Sequence, residues 1–402
     1  MTAQPQAPRG PLPPIPLTLL TGFLGAGKTT LLNRLLRDPA LKDTAVIINE
    51  FGDIPLDHLL VEKIEDNMVV LSSGCLCCTL RGDLVTALEK LLRDLDNHRV
   101  SFNRVVLETT GLADPAPLLQ TLMSHPYLVL RFRLDGVVTL IDAINGEETL
   151  DQHPEAVKQA AVADRLIISK TDLAADKKAP ATLIARLRAL NPAAPLLDIA
   201  GGEAVPANLF NCGLYNPDSK SPDVRRWLAE EAYAAAEESH RDHHHGHRHH
   251  NDHHHGHNDH HHDVNRHDVN RHDVNRHDDR VRAFTLASEV AIPAATFELF
   301  LDLLKSMHGP NLLRVKGIVK IAEMPDTPVV IHGVQHIFHP PAQLEAWPDS
   351  DRRSRLVFIV RDIAPRNIRD LFDAFLGQIR ADQPDQSALL DNPLVPFGGR
   401  DH

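Results

Sequence analysis

Gly22-Phe23-Leu24-Gly25-Ala26-Gly27-Lys28-Thr29-Thr30 is the stretch that most restricts what this chain can fold into. An apolar run, Leu17 to Leu20, leads into it, and Leu31-Leu32-Asn33-Arg34-Leu35-Leu36 follows at helical spacing. The pattern is strand, glycine loop, helix, with G-x-x-x-x-G-K-[ST] at the bend. Glycines let backbone N–H groups close around phosphate oxygens, and the helix N-terminus adds partial positive charge. Lys28 is expected to reach the β- and γ-phosphates, and the Thr29 hydroxyl to ligate Mg²⁺. Gly22, Gly25, Ala26, Gly27 and Thr30 complete the candidate nucleotide contacts of this loop.

From Leu17 to about residue 210, apolar strands alternate with helical patterns. Strands are expected at 17–21, 44–49, 68–71, 103–108, 134–141, 164–169 and 195–199, with helices such as 82–95 and 179–190 between them. That alternation specifies an α/β fold, a parallel sheet with helices on both faces. In such a sheet the loops at the C-terminal strand ends share one crevice. The loops after residues 49, 71, 108 and 169 are therefore expected beside the glycine loop.

Each of these loops carries chemistry. Asn49-Glu50-Phe51-Gly52-Asp53-Ile54-Pro55-Leu56-Asp57 is acidic and reads either as a nucleotide-sensing switch or as an ordinary surface loop. Ser72-Ser73-Gly74-Cys75-Leu76-Cys77-Cys78 gathers three of the four cysteines of the chain within four residues. Thiolates suit Zn²⁺ or Co²⁺. This spacing implies two or three sulfurs plus an outside ligand or water, a shell suited to transfer, against the plainer reading of buried apolar cysteines. Glu108-Thr109-Thr110-Gly111 places an acid at a strand end, where it can orient water on Mg²⁺, and Gly111 can turn an N–H toward the γ-phosphate. Ser169-Lys170-Thr171-Asp172 resembles the base-reading N-K-x-D of GTPases, with Ser169 in place of the usual Asn. Asp172 would accept from the guanine ring N–H and amine, and the Lys170 stem would lie over the base. The plain alternative is Asp172 as a helix cap.

Taken together, Gly22–Thr30, Asn49–Gly52, Gly74–Cys78, Glu108–Gly111 and Ser169–Asp172 resemble the CobW family of GTPases, relatives of the nickel-delivery GTPases HypB and UreG. The resemblance implies GTP hydrolysis coupled to handing a metal, most often zinc, to a metal-dependent client protein. In one branch the metal is cobalt, for cobalamin synthesis. Carried over, Cys75, Cys77 and Cys78 are the metal ligands, Lys28 and Thr29 the phosphate and Mg²⁺ residues, and Glu108 the strand-end acid. Some members carry an acidic ligand just before Asn-Glu-Phe-Gly; here Ile48 stands there.

The middle of the chain changes character. After one amphipathic piece, Asp223 to Glu238, the stretch from His240 to His277 holds 17 of the 26 histidines and repeats His-Asp-Val-Asn-Arg three times. Its low apolar content reads as a disordered linker suited to loose metal capture by neutral imidazoles, or as a solvated spacer. Imidazole's reference pKa of about 6.5 makes such capture weaken below neutral pH. From Arg282 strand and helix patterns return: strand 282–288, helix 294–307, strands 311–322, 328–338 and 355–361, and helix 365–379. They suggest a small α+β, ferredoxin-like layer, and Leu312–Gly317 and Gly333–His336 resemble the CobW C-terminal domain. His332, His336 and His339 read as polar residues on a strand's outer face rather than as ligands. The expected organisation is a Pro-rich tail over 1–16, a P-loop GTPase domain over 17–215, a His-rich linker over 216–280 and an α+β domain over 281–402.

A formal net charge of −12 without a Lys/Arg block argues against nucleic acid or anionic membrane as the main partner. Clustered rather than dispersed cysteines point to a reducing compartment. The N-terminus lacks the features of a signal peptide, so the expectation is a soluble, cytoplasmic GTPase that binds Mg²⁺ and zinc or cobalt. A nucleotide-dependent dimer is also expected. Asp53, Asp57 and Glu108 are the candidates for a hydrolytic base. The rival classes are a metal store with a vestigial nucleotide site and a small-molecule kinase on the same loop.

Overall fold

The computed structural model describes residues 13–49, 70–73, 80–212 and 280–377. The switch-like loop 50–57, Cys75, Cys77, Cys78, the His-rich tract and most of the Pro-rich tail lie outside the described residues.

In the first half β1 (Ile15–Gly22), α1 (Lys28–Leu36), β2 (Thr44–Asn49), β3 (Val70–Ser73), α2 (Leu80–Asp96), β4 (Arg104–Glu108), α3 (Pro115–Ser124) and α4 (Leu128–Arg131) come first. They are followed by β5 (Phe132–Asp142), α5 (Gly146–Gln152), α6 (Pro154–Ala161), β6 (Arg165–Ser169), α7 (Ala181–Leu190), β7 (Leu196–Asp198) and α8 (Pro206–Leu209). The seven strands form one sheet in the order β3-β2-β4-β1-β5-β6-β7, and every pairing is parallel. This is the expected P-loop architecture. Aliphatic side chains fill both faces: Leu17, Leu19 and Leu107 pack toward α2 and α3, while Leu20, Val106 and Leu140 pack toward α1 and its Leu31, Leu32 and Leu35. Because the sheet is covered on both faces, its strands read as nearly continuous apolar runs rather than as alternating ones.

The second half holds β8 (Val281–Ser288), α9 (Ala294–His308), β9 (Leu312–Ile321), β10 (Met324–Val334), β11 (Ile337–Phe338), β12 (Ala342–Gln343), β13 (Ser354–Arg361) and α10 (Pro365–Phe375). Its sheet runs β11-β10-β9-β13-β8, antiparallel throughout, with β12 beside β10. β8, α9 and β9 make a split β-α-β unit with β13 inserted, as in ferredoxin-like layers, but the second helix follows the last strand instead of preceding it. The single strand expected over 328–338 is instead a hairpin. Gln335 adopts φ +55°, which reverses the chain so that Val334 pairs with Ile337.

This second sheet is also covered twice, because its side chains alternate faces with period two. Phe284, Val315, Leu356, Phe358 and Val360 pack under α9 and α10. Ala283, Ile318, Val330, Val357 and Ile359 instead join one core with Ala156, Val157, Ala160 and Leu187 of the first half. The C-terminal sheet is thus the outer wall of the helix layer formed by α5, α6 and α7.

Candidate functional site

Parallel pairing puts the C-terminal ends of β1, β2, β3, β4, β5 and β6 on one edge of the sheet, and the glycine loop opens there. Gly27 sits at the N-cap of α1 with φ +92°, a left-handed conformation natural to glycine. Lys28 is buried; its ammonium donates to the carbonyls of Gly22 at 3.0 Å and Phe23 at 3.2 Å, folding the side chain back over the loop. The Thr29 hydroxyl donates to Glu108 Oε1 at 3.0 Å, so two residues 79 positions apart meet at the base of the loop, both buried. Hydroxyl and carboxylate oxygens are hard donors, and this pair beside a phosphate loop fits a Mg²⁺ site.

The segment after β4 is pressed against the glycine loop. Thr109 donates its N–H to Leu20 O at 2.9 Å and its hydroxyl to Thr21 Oγ1 at 2.8 Å. A Cβ on Gly111 would lie 2.5 Å from the Leu24 nitrogen, so only glycine lets these two backbones approach so closely. Asp114 caps α3 by accepting from the Ala116 N–H.

Ser169 lies at the end of β6, buried, and its hydroxyl donates to Ala26 O at 2.7 Å. The residue that departs from the Asn of the GTPase motif therefore ties the base-reading segment to the phosphate loop. Lys170 takes φ +60° and its ammonium lies 2.7 Å from Asp142 Oδ2 at the end of β5. Burial favours the neutral form of Asp142, but the Lys170 ammonium and the N–H groups of Ile144 and Asn145 together hold its carboxyl below the usual carboxylate range. Asp172 is exposed within the turn Thr171–Leu173, which has no side-chain cap, so the helix-cap reading does not apply. Thr30 and Gly25 are also exposed at this edge. A cleft opens beside the loop, lined among others by Phe23, Asp142, Asn145, Gln159 and Lys170.

The fold brings together Gly22 to Thr30, Glu108, Gly111, Lys170 and Asp172 at one edge. β3 ends there at Ser73, two residues before Cys75. Sequence reasoning did not single out Asp142, an acid at a strand end like Glu108, nor Gln159, which no local pattern marks. Among the described residues no group of three or more His, Cys, Asp or Glu is placed to hold a metal ion. His332 is a correction to the outer-face expectation: it is buried against the first half, near Asp164, Arg314 and Lys316. No described helix is long and apolar enough to cross a membrane.

Residues 16–198 match the family described as CobW/HypB/UreG, nucleotide-binding domain, and residues 281–376 match the cobalamin synthesis protein CobW C-terminal domain. The two together take up more than half of the chain, and it belongs to the CobW family of P-loop proteins. It is 42% identical over 198 residues to the zinc chaperone YjiA of Escherichia coli, covering 49% of this chain and 61% of that protein. It is 43% identical over 169 residues to the zinc-regulated GTPase metalloprotein activator 1 of Schizosaccharomyces pombe, covering 40% of each. These curated relatives are thus matched over less than two thirds of their length. The crystal structure of zinc-bound YjiA GTPase from E. coli superposes with a TM-score of 0.59 at 26% identity, covering 90% of this chain and 99% of that one.

Proposed function

We propose that this protein is a GTP-hydrolysing metallochaperone that holds zinc through Cys75, Cys77 and Cys78 and passes it to a client protein. The observation that carries the reading is the Thr29–Glu108 hydrogen bond. It joins the phosphate loop to the strand-end acid at the edge where β3 leads into the cysteine segment. The zinc-bound YjiA structure and the names of the relatives support zinc as the cargo.

In this reading the loop N–H groups and Lys28 bind the phosphates of GTP. Asp172 selects guanine, and Lys170, steadied by Asp142, lies along the base. Mg²⁺, when bound, neutralises charge developing on the phosphates. Thr29 would hold it and Glu108 would orient its water. Gly111 turns its N–H toward the γ-phosphate, so the 108–114 segment senses whether that group is present. Nucleotide state then alters the thiolate shell of the segment that follows β3, and hydrolysis releases the metal.

Linkage makes the coupling measurable. If GTP changes zinc affinity by some factor, zinc must change GTP affinity by the same factor. GTP titrations with and without zinc, under reducing conditions, are expected to differ; superimposable curves would remove the coupling. Metal analysis of the purified protein, repeated with Cys77 and Cys78 changed to Ala, is expected to show loss of tightly held metal and to tell zinc from cobalt.

A further inference from the structure

Gln159 is a buried polar side chain that the proposed chemistry leaves unused. It lies on α6, 1% exposed. Its side-chain amide donates to Ala113 O at 2.9 Å and to Gly111 O at 3.2 Å. Both acceptors belong to the segment that begins at Glu108. Its own backbone carbonyl accepts from the Thr139 hydroxyl at 2.9 Å, which fixes this turn of α6 to β5. The preceding residue acts on the same segment: the Lys158 ammonium pairs with Asp114 Oδ2 at 2.7 Å.

The helix that carries both groups is held on every side. At its N-cap, His153 stacks on the Phe23 ring of the phosphate loop with centroids 4.4 Å apart. At its C-terminal end, Asn191 Nδ2 donates to the carbonyls of Ala160, Ala161 and Ala163. Its apolar face, Ala156, Val157 and Ala160, is buried in the core shared with the C-terminal sheet, and α6 lies against β9. A side chain on such a rigid support can hold a loop to within tenths of an ångström, which chemistry in the active site demands.

We propose that Gln159 is a positioning residue for nucleotide turnover. It pins the Gly111 and Ala113 carbonyls so that the 108–114 segment keeps the shape in which Glu108 meets Thr29 and Gly111 meets the phosphate loop. The inference rests on the GTPase reading above. It adds that this segment is set from outside the nucleotide site, by a helix whose other face belongs to the domain interface.

The test uses the full chain and compares wild type with Gln159→Met, Lys158→Met and Val157→Ala in steady-state GTP hydrolysis, GDP affinity and thermal melting. Gln159→Met keeps length and removes both donors. It is expected to lower kcat about tenfold or more while KM and GDP affinity stay within about threefold, the split produced when an interaction acts only in the transition state. Lys158→Met, partly exposed and so of small consequence for folding, is expected to lower kcat about threefold in the same way. Val157→Ala creates a core defect on the same helix without touching the segment; it is expected to lower the melting temperature and leave kcat within about twofold. Wild-type kcat in both Met variants would overturn the proposal. So would losses in kcat no larger than Val157→Ala shows at the same melting shift. Absence of GTP hydrolysis in the wild-type protein would instead remove the functional reading itself.

Discussion

At the scale of single residues, the Glu108 carboxylate has two partners to satisfy: the Thr29 hydroxyl in the fold and the water on Mg²⁺ in the proposed reaction. Glu108→Gln keeps an oxygen for Thr29 and removes the charge. Expected is a fall in kcat of about 10- to 100-fold with folding intact, checked by hydrolysis assay and melting curve. Asp172 is exposed and takes no part in the core, so Asp172→Asn is expected to leave stability unchanged. It should weaken GTP binding and raise affinity for xanthosine triphosphate, measured by competition; unchanged base preference would remove Asp172 from the base site. Ser169→Ala strands the Ala26 carbonyl and is expected to destabilise by about 1–3 kcal/mol in urea unfolding. The glycine loop, Glu108 and the Lys-Thr-Asp segment were legible in the sequence because each pairs a special backbone shape with a special side chain. Ser169 reads only as a lost amide until the fold brings Ala26 to it. Gln159 carries no such signature, since its partners are backbone carbonyls 46 and 48 residues away.

Between elements, the decisive contact joins the start of β6 to β9 and β10. Asp164 forms buried ion pairs with Arg314 and Lys316 and accepts the Val137 N–H at 2.9 Å. Burial opposes charge on Asp164, but Arg314 and Lys316 hold its carboxyl well below the usual range. Burial and the neighbouring Arg314 bring Lys316 down to about 8. Removing the carboxylate takes away the buried counter-charge that Arg314 and Lys316 share in the interface, so Asp164→Ala is expected to cost about 3–5 kcal/mol in denaturant unfolding. His332 lies in the same cluster with its Nε2 lacking a hydrogen-bond partner among the described residues. Burial, then Arg314 and Lys316, push its pKa well below 6.5, against the opposing pull of Asp164, while His339 adds to the lowering. The unfolded chain therefore binds a proton near pH 6.5 that the folded chain refuses. Stability from this group is complete above that pH and declines below it, by up to about 1.4 kcal/mol per pH unit. His332→Leu is expected to flatten the slope of unfolding free energy between pH 6.5 and 5. An unchanged slope would show that the imidazole accepts its proton within the fold.

For the whole molecule, the two sheets share a core, so the second domain is structural to the first. Removing residues 281–402 would expose Ala156, Val157, Ala160 and the other side chains that face Ile318 and Val357. The remaining fragment is expected to melt at lower temperature and to self-associate, checked by scattering and calorimetry. A monomeric fragment as stable as the full chain would show that the shared core contributes nothing. The parallel sheet, its loop edge and the presence of a second α+β unit follow from the sequence alone, because strand–helix alternation and phosphate-loop geometry are local properties of the chain. The hairpin at Gln335 lay hidden because its reversal needs one residue at positive φ and no glycine marks it. The interface lay hidden for a deeper reason. Arg314, Lys316 and His332 interrupt apolar strands, and their burial is decided only when Asp164, about 150 residues earlier, supplies the opposite charge. Which face of a sheet meets water, and which buried charge meets its partner, are decided only when distant segments pack.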